Sequence, residues 1–462
     1  MLGKDNYATG VFNDLAKMND IAPYSKWEDV GLNDLTIHWK WVFGMVGFWA
    51  ILALLPNVVL GVAFFVLWFF TVQRKWGRRE AIVSLFLVTC VLANSREPEM
   101  QFWKMFRIVA AGLLWVEGLK VCFQSELEER RKWMTWGCIL VVCTILPSLI
   151  STSPGEGLFQ SVLIVTMWFV MLILSKVNSD ESKSLRANSL MHLALVVVLI
   201  SILAGFLEWR LAFLQARFRG IFGNPNSISH WWLMFFILGL SGTTSLRKSK
   251  SLGLVLLTGV VLYWGASRGA ALACLVALTG WVWLRSSLSI LQKMLVFGVL
   301  AILLIGVQYA TVDMLNDILP AHMVRAENIQ GGGGRFLAWE HAWNEIMKSP
   351  WVGHGGGYEE RYFESSYHYF TAMNHQGLSH NSWIAFSMNY GVPQALLLIL
   401  GLLVYLGLFR SKYRMIALIP AVLSFSIEGY LTAPMSAVSP AMIFVCGFLG
   451  SFKRNPSTQN TE

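Results

Sequence analysis

The chain has 462 residues, of which 55% are hydrophobic and only 14% charged, where a soluble globular protein carries roughly 25% charged residues. Apolar runs of membrane-spanning length recur from about residue 41 to 451. This excludes an ordinary soluble domain and predicts an all-α polytopic membrane protein, because only helices satisfy their own backbone groups in lipid. The formal net charge of +9 would suit a polyanion, but the basic residues sit in short connections between apolar runs, so no nucleic-acid partner is expected.

The first 37 residues are polar and mixed in charge, with no cleavable leader, and read as a cytoplasmic segment. A first bundle is expected over 38–311, with apolar stretches at about 41–55, 57–72, 81–94, 105–123, 134–150, 158–175, 191–207, 227–244, 252–266, 270–284 and 294–311. One large loop, 312–381, follows; further spans at 382–408, 415–430 and 436–451 make up a C-terminal group over 382–451. The tail, 452–462, is short and polar. Several stretches are short, so the expectation is about 12–14 transmembrane helices. "RKWGRR" at 74–79, "ERRK" at 129–132, "RKSK" at 247–250, "RSKYR" at 410–414 and "KR" at 453–454 occupy alternate connections. Lys and Arg in short loops mark the cytoplasmic side, so both termini face the cytoplasm and the large loop faces outward. All six cysteines fall inside predicted spans and read as small packing residues.

Within the large loop, "RFLAWEHAWNEIMKSP" at 335–350 places Phe336, Trp339, Trp343 and Ile346 or Met347 at helical spacing, with Pro350 as a stop. That face either lies in the headgroup region or packs on the other spans. Two glycine clusters, "GGGG" at 331–334 and "GHGGGY" at 353–358, lack the Lys-Ser or Lys-Thr of a nucleotide loop and read as hinges over a site.

The outer side should be poor in positive charge, yet it collects Arg210, Arg217, Arg219, Arg268, Arg325, Arg335 and Arg361. Arginine presents a planar, permanently charged fork that matches phosphate oxygens in pairs. Arg210 and Arg217 are seven apart, on one face if the segment is helical. Arg268 stands at a membrane boundary, where an ionisable residue is costly. Phosphate binding competes there with snorkelling or pairing with an acid such as Glu208. Five of the nine histidines (His341, His354, His368, His375, His380) lie in or next to the large loop. Their spacings match no helical metal pair, so no metal is expected. His380 reads as the last polar position before a span, where a side chain can be held rigidly at the membrane boundary and exchange a proton with a hydroxyl.

"FRGIFGNPNSISH" (218–230), "ASRGAALA" (266–273), "GRFLAWEHAWNEIMKSPWVGHGGGY" (334–358) and "SHNSWIAFSMNYGVPQALLLIL" (379–400) resemble, in this order, the motifs of the O-antigen ligase and polymerase superfamily. The resemblance covers the second half of the chain. It implies a bacterial inner-membrane glycosyltransferase that takes a glycan from undecaprenyl diphosphate on the periplasmic face. Ligases pass it to a glycolipid core and polymerases to a second lipid-linked repeat unit, by inversion, without metal or other cofactor. By the same resemblance Arg219 and Arg268 match the family's essential arginines, with Arg217 beside them, and His380 with Asn381 matches its His-Asn pair. His380 would act as the base. Arg335 matches an Arg-x-x-x-Trp stretch and would help hold the loop or the phosphates; Arg210 is a further phosphate candidate on residue chemistry alone. Chain chemistry alone leaves ligase, polymerase and protein O-glycosylation ligase unseparated. A lipid-linked oligosaccharide flippase is the alternative, although charge is scarce within the spans and no internal repeat is visible.

Overall fold

The computed structural model describes residues 38–54, 58–94, 102–176, 180–207, 212–214, 217–242, 248–265, 267–285, 335–372, 378–406, 412–429 and 435–450, with a few isolated positions besides. The described chain is mostly helical. In chain order come α1 (Trp39–Leu54), α2 (Val58–Trp76), α3 (Arg78–Ala93), α4 (Trp103–Gln124), α5 (Leu127–Leu149), α6 (Pro154–Ser175) and α7 (Asp180–Leu207). A small antiparallel pair, β1 (Phe213–Leu214) and β2 (Arg217–Phe218), aligns Phe213 with Phe218 and Leu214 with Arg217. Then follow α8 (Pro225–Gly242), α9 (Lys248–Gly265) and α10 (Arg268–Arg285). The loop helices are α11 (Arg335–Lys348), α12 (Tyr358–Ser365) and α13 (Tyr367–Ala372). The chain closes with α14 (Ser382–Tyr390), α15 (Val392–Leu406), α16 (Lys412–Ile427) and α17 (Ser439–Gly450).

Among the described residues, three helices are long and apolar enough to cross a membrane unaided: Leu127–Leu149, Pro154–Ser175 and Ser182–Leu207. Shorter apolar helices lie at Gly269–Gly280, Val392–Tyr405 and Ser439–Gly450. The expected span at 294–311 falls almost wholly outside the described residues. The interior is built from helices apolar on every side. From Glu80 to Ala93 every residue of α3 is buried, and the same holds for every residue of α17. Helix α8 contributes Trp231, Trp232, Phe235 and Phe236, all fully buried. Around this centre α2, α4, α5 and α6 turn apolar side chains such as Val59, Phe70, Ile108, Val116, Val142 and Phe159 outward, as helices in contact with lipid do. Five of the six cysteines are buried, Cys138 is exposed, and all are free thiols, in keeping with packing roles.

Segments that the charge alternation places on one side touch one another. The amide of Gly356 donates to Ser148 Oγ (3.0 Å), Arg361 pairs with Glu156, and Arg107 donates to the carbonyl of Met435 (2.9 Å). At the opposite end, Arg186 pairs with Glu80, and the Lys75 ammonium lies 5.1 Å from the Trp76 ring centroid.

One expected element is divided. The apolar stretch 382–408 reads as a single span, but the helix breaks at Gly391, whose φ is +87°. The loop backbone enters the break: Val392 N donates to Pro350 O (2.8 Å), His354 N to Met388 O (3.0 Å) and Gly355 N to Asn389 O (2.7 Å). These bonds satisfy carbonyls and amides that a broken helix leaves open. A Cβ on Gly391 would stand 2.6 Å from the Trp351 backbone, and one on Gly355 2.2 Å from the Ser151 Cβ. The glycines of 353–357 therefore serve close approach, where sequence suggests hinges. Gly391→Ala should cost more than about 1 kcal/mol and lower the melting temperature in detergent. Gly155→Ala, with open space around its Cβ position, should leave it unchanged.

Helix α11 forms where its sequence predicts, and of the two expectations for its aromatic face, packing on the other spans does not hold for Phe336, Trp343 and Met347. Ala338, Ala342 and Ile346 are buried in a cluster with Phe363, Phe370 and Met388, while Phe336, Trp343 and Met347 are exposed. Two alanines on one face let α11 approach α14 closely; the bulky aromatic side chains cannot. Trp339 is half-buried and donates its indole N–H to the carbonyl of Ser379 (2.7 Å).

Candidate active site

The site is organised on Glu428, the residue following α16, which is buried at 5% exposure. Arg335 Nη2 donates to Glu428 Oε1 at 3.0 Å, and His380 Nδ1 lies 3.4 Å from Oε2. Asn226 Nδ2 also donates to Oε1 (2.8 Å), and its own Oδ1 accepts from Arg217 Nη2 (2.6 Å). Arg217 Nε donates to the carbonyl of Gly265 (3.1 Å), the last residue of α9. Ser382 Oγ donates to the backbone carbonyl of Glu428 (2.9 Å), tying the start of α14 to the end of α16. One carboxylate thus gathers Asn226, Arg335 and His380, from three segments far apart in the chain, with Arg217 joined through Asn226. A buried carboxylate needs such partners, since an unpaired charge at this depth is strongly disfavoured.

Local chemistry explains how each group reaches it. Asn381 caps α14, its Oδ1 accepting from Trp383 N (2.9 Å) and Ile384 N (3.2 Å), the preferred way to satisfy the first open amides of a helix. Immediately before it, His380 has a φ of +47°, the only non-glycine with positive φ among the described residues. A bulky side chain rarely takes this conformation, and it persists only where neighbours over-determine it. Here Ser379 N and Oγ both donate to Glu359 Oε1 (2.9 and 2.7 Å), and Trp339 holds the Ser379 carbonyl. The imidazole is therefore fixed from both sides, and its Nδ1 is directed at Glu428. On the opposite wall β2 carries Arg217, while Phe218 packs on Phe213 and Trp264 with ring centroids 5.4 and 5.7 Å apart.

Burial pushes the Glu359 carboxyl above its ordinary value, and the hydrogen bonds from Ser379 and the nearby His380 only partly offset this. A raised carboxyl contributes stability that is fully present below the ordinary carboxyl value and is lost as pH rises through the raised one. The ionised form is thus held at a cost. Glu359→Gln, which keeps an acceptor for Ser379, should flatten the dependence of melting temperature on pH above that ordinary value. Glu345 behaves oppositely: burial would raise it, but hydrogen bonds from Lys348 (2.5 Å) and Tyr358 (2.9 Å) leave it below the ordinary value.

Of the residues singled out in sequence, Arg217, Arg335 and His380 meet at Glu428. Arg219 is buried two residues beyond Arg217, with its amide on the carbonyl of Ala212 (2.8 Å). Arg268 is the first residue of α10, three positions after the carbonyl that Arg217 engages. Arg210, Arg325 and His375 lie outside the described residues. Asn381 acts on the helix end rather than toward Glu428 or the arginines. His354 stacks on Tyr358 (4.1 Å), and its Nε2 lies 3.0 Å from the Glu345 carbonyl, away from this cluster.

Residues 253–399 match the family model for O-antigen ligase. This stretch of the chain is similar to that family. The superfamily resemblance read from four motifs is thereby borne out. Among curated proteins, none matches the chain. The O-antigen ligase stretch contains Gly265, Arg268, Arg335, His380 and Asn381, whereas Arg217, Arg219, Asn226 and Glu428 lie outside it. Sequence reasoning passed over Glu428, Asn226, Glu359 and Ser379. For Glu428 a signal existed: it is the lone acid of the apolar stretch 415–430, and an ionisable residue in such a place is a functional candidate by default. Asn226 stands in the motif "GNPNSISH" but gives no sign in sequence that it would bridge an arginine to a carboxylate.

Proposed function

We propose that the chain is an inverting, metal-independent glycosyltransferase that moves a glycan from undecaprenyl diphosphate to an acceptor on the periplasmic face of the bacterial inner membrane. The single observation that supports this most is the sharing of Glu428 by His380, Arg335 and the Asn226–Arg217 pair. A diphosphate-linked sugar already has a good leaving group. The protein has only to hold the diphosphate, neutralise the charge that grows on it and take a proton from the acceptor hydroxyl.

In this reading Glu428 accepts from His380 Nδ1 and leaves Nε2 as the base, the logic of a base oriented by a carboxylate. The acceptor O–H gives its proton to Nε2. The acceptor oxygen forms a bond to the anomeric carbon as the carbon–oxygen bond to the diphosphate breaks, and the electron pair leaves with the diphosphate. Arg217, Arg219, Arg268 and Arg335, with Arg210 if it reaches the site, supply the cationic surroundings of that leaving group. The large outer loop over 312–381, both termini in the cytoplasm and about 12–14 spans complete the proposal. The acceptor is a glycolipid, or a second lipid-linked repeat unit in a polymerase.

The test is transfer by purified protein in detergent or nanodiscs, with an undecaprenyl-diphosphate glycan, both acceptor classes and no added metal. A new glycosidic bond, with chain-extended or core-linked product, is the expected result. Movement of the lipid across a bilayer with no new bond would overturn the reading in favour of a transporter.

A further inference from the structure

We propose that the groove between α11, α12 and α13 is a saccharide-binding subsite for the uncharged pyranose rings of a glycan. Its choice of ligand rests on the transfer reading, but its test does not. The cavity has a volume of about 400 Å³, within the usual range for small-molecule sites. His341, Tyr362, Ser365, His368, Tyr369 and Phe370 line it. Phe370 is fully buried beneath, edge-on to both His341 and Tyr369 with ring centroids 5.3 Å apart in each pair. It is anchored in turn on Phe363 (4.9 Å) and the cluster around Ile346. The Tyr362 hydroxyl meets His341 Nδ1 at 3.4 Å, and Ser365 Oγ donates to the Tyr362 carbonyl (2.8 Å). The ring walls are therefore set before any ligand arrives, which lowers the ordering cost of binding.

The lining chemistry selects the ligand class. It combines aromatic surfaces, which accept the C–H faces of sugar rings, with hydroxyls and imidazole nitrogens that both donate and accept. Among the described lining residues there is no carboxylate, ammonium or guanidinium. Among the described lining residues a phosphate or a charged peptide finds no permanently charged partner, whereas a neutral polyol finds hydrogen bonds and apolar contact together. The position also suits a glycan chain. His341 is six residues along α11 from Arg335, a rise of about 9 Å. An oligosaccharide of a few residues could lie in the groove with its diphosphate end, or its acceptor hydroxyl, at Glu428. A charged site for the phosphates and a neutral one for the sugars would then share one rigid helix.

The experiment uses the purified full chain in detergent on an array of free neutral and acidic oligosaccharides, without lipid or phosphate. At least one neutral oligosaccharide should bind. Tyr369→Ala, at an exposed position, should weaken it at least tenfold with an unchanged melting temperature. Glu364→Ala, an exposed α12 neighbour outside the groove, should bind as the wild type does. In transfer assays Tyr369→Ala should raise KM for the glycan with kcat held. No retained oligosaccharide, retention of acidic ones alone, or equal binding by Tyr369→Ala would overturn the proposal. Saccharide binding without transfer by the wild type would uphold the groove and remove the transfer reading; transfer without saccharide binding would do the reverse.

Discussion

Alanine at position 380 is expected to reduce glycan transfer at least 100-fold while the protein still inserts and melts as the wild type does. Removing a positioned general base typically costs 10²–10⁴ in rate. The imidazole is not a packing element: its side chain retains 17% exposure, and its distinctive contact is the 3.4 Å approach to Glu428. Losing a side chain at a positive φ adds no backbone strain, so the variant should fold. Glu428→Gln separates orientation from charge. It keeps an acceptor for Arg335 or Asn226 but removes the negative partner of His380, so transfer should fall without loss of insertion. Wild-type transfer by His380→Ala would sink the assignment of the base. Wild-type transfer by Glu428→Gln would show that the carboxylate does not act through His380.

The largest stability effect is expected at the other end of the bundle. Arg186, at 1% exposure, donates through Nε and Nη2 to Glu80 Oε1 at 2.9 and 2.7 Å, and its Nη1 caps the carbonyl of Leu174 near the end of α6. Arg186→Met leaves Glu80 as a buried carboxylate without this partner, a change that typically costs about 3–5 kcal/mol. The double variant Glu80→Leu, Arg186→Met removes both charges and should recover most of that loss. Recovery should be incomplete, because the Leu174 carbonyl still loses a donor. Denaturation in detergent, read by intrinsic tryptophan fluorescence, measures both. Equal stability of the single variant and the wild type would refute the buried pair as a structural tie between α3, α6 and α7.

Much of this protein was legible without coordinates, for reasons of local physics. The membrane class follows from apolar runs and from the alternation of basic loops, because each span must satisfy its own backbone and its own side chains in lipid. Helix α11 follows from spacing and from Pro350. The arginines, His380 and the superfamily were readable as residue types in ordered motifs. Even the break at Gly391 was announced by "GVP" at 391–393, a helix stop next to a helix start, although the apolar run concealed it.

Tertiary structure alone decided which of these groups meet. Glu428 is 93 residues from Arg335 and 202 from Asn226 in the chain, and no pattern of spacing encodes contacts at such separations. The left-handed backbone at His380 depends on Glu359 and Trp339, which lie on other elements. The face that α11 buries was fixed by two alanines fitting against α14, not by its tryptophans. Residue chemistry and periodicity are properties of the sequence, since each is set by the residue and its near neighbours. A shared buried carboxylate exists only once packing has excluded water and brought Arg335, His380 and Asn226 onto it from separate segments.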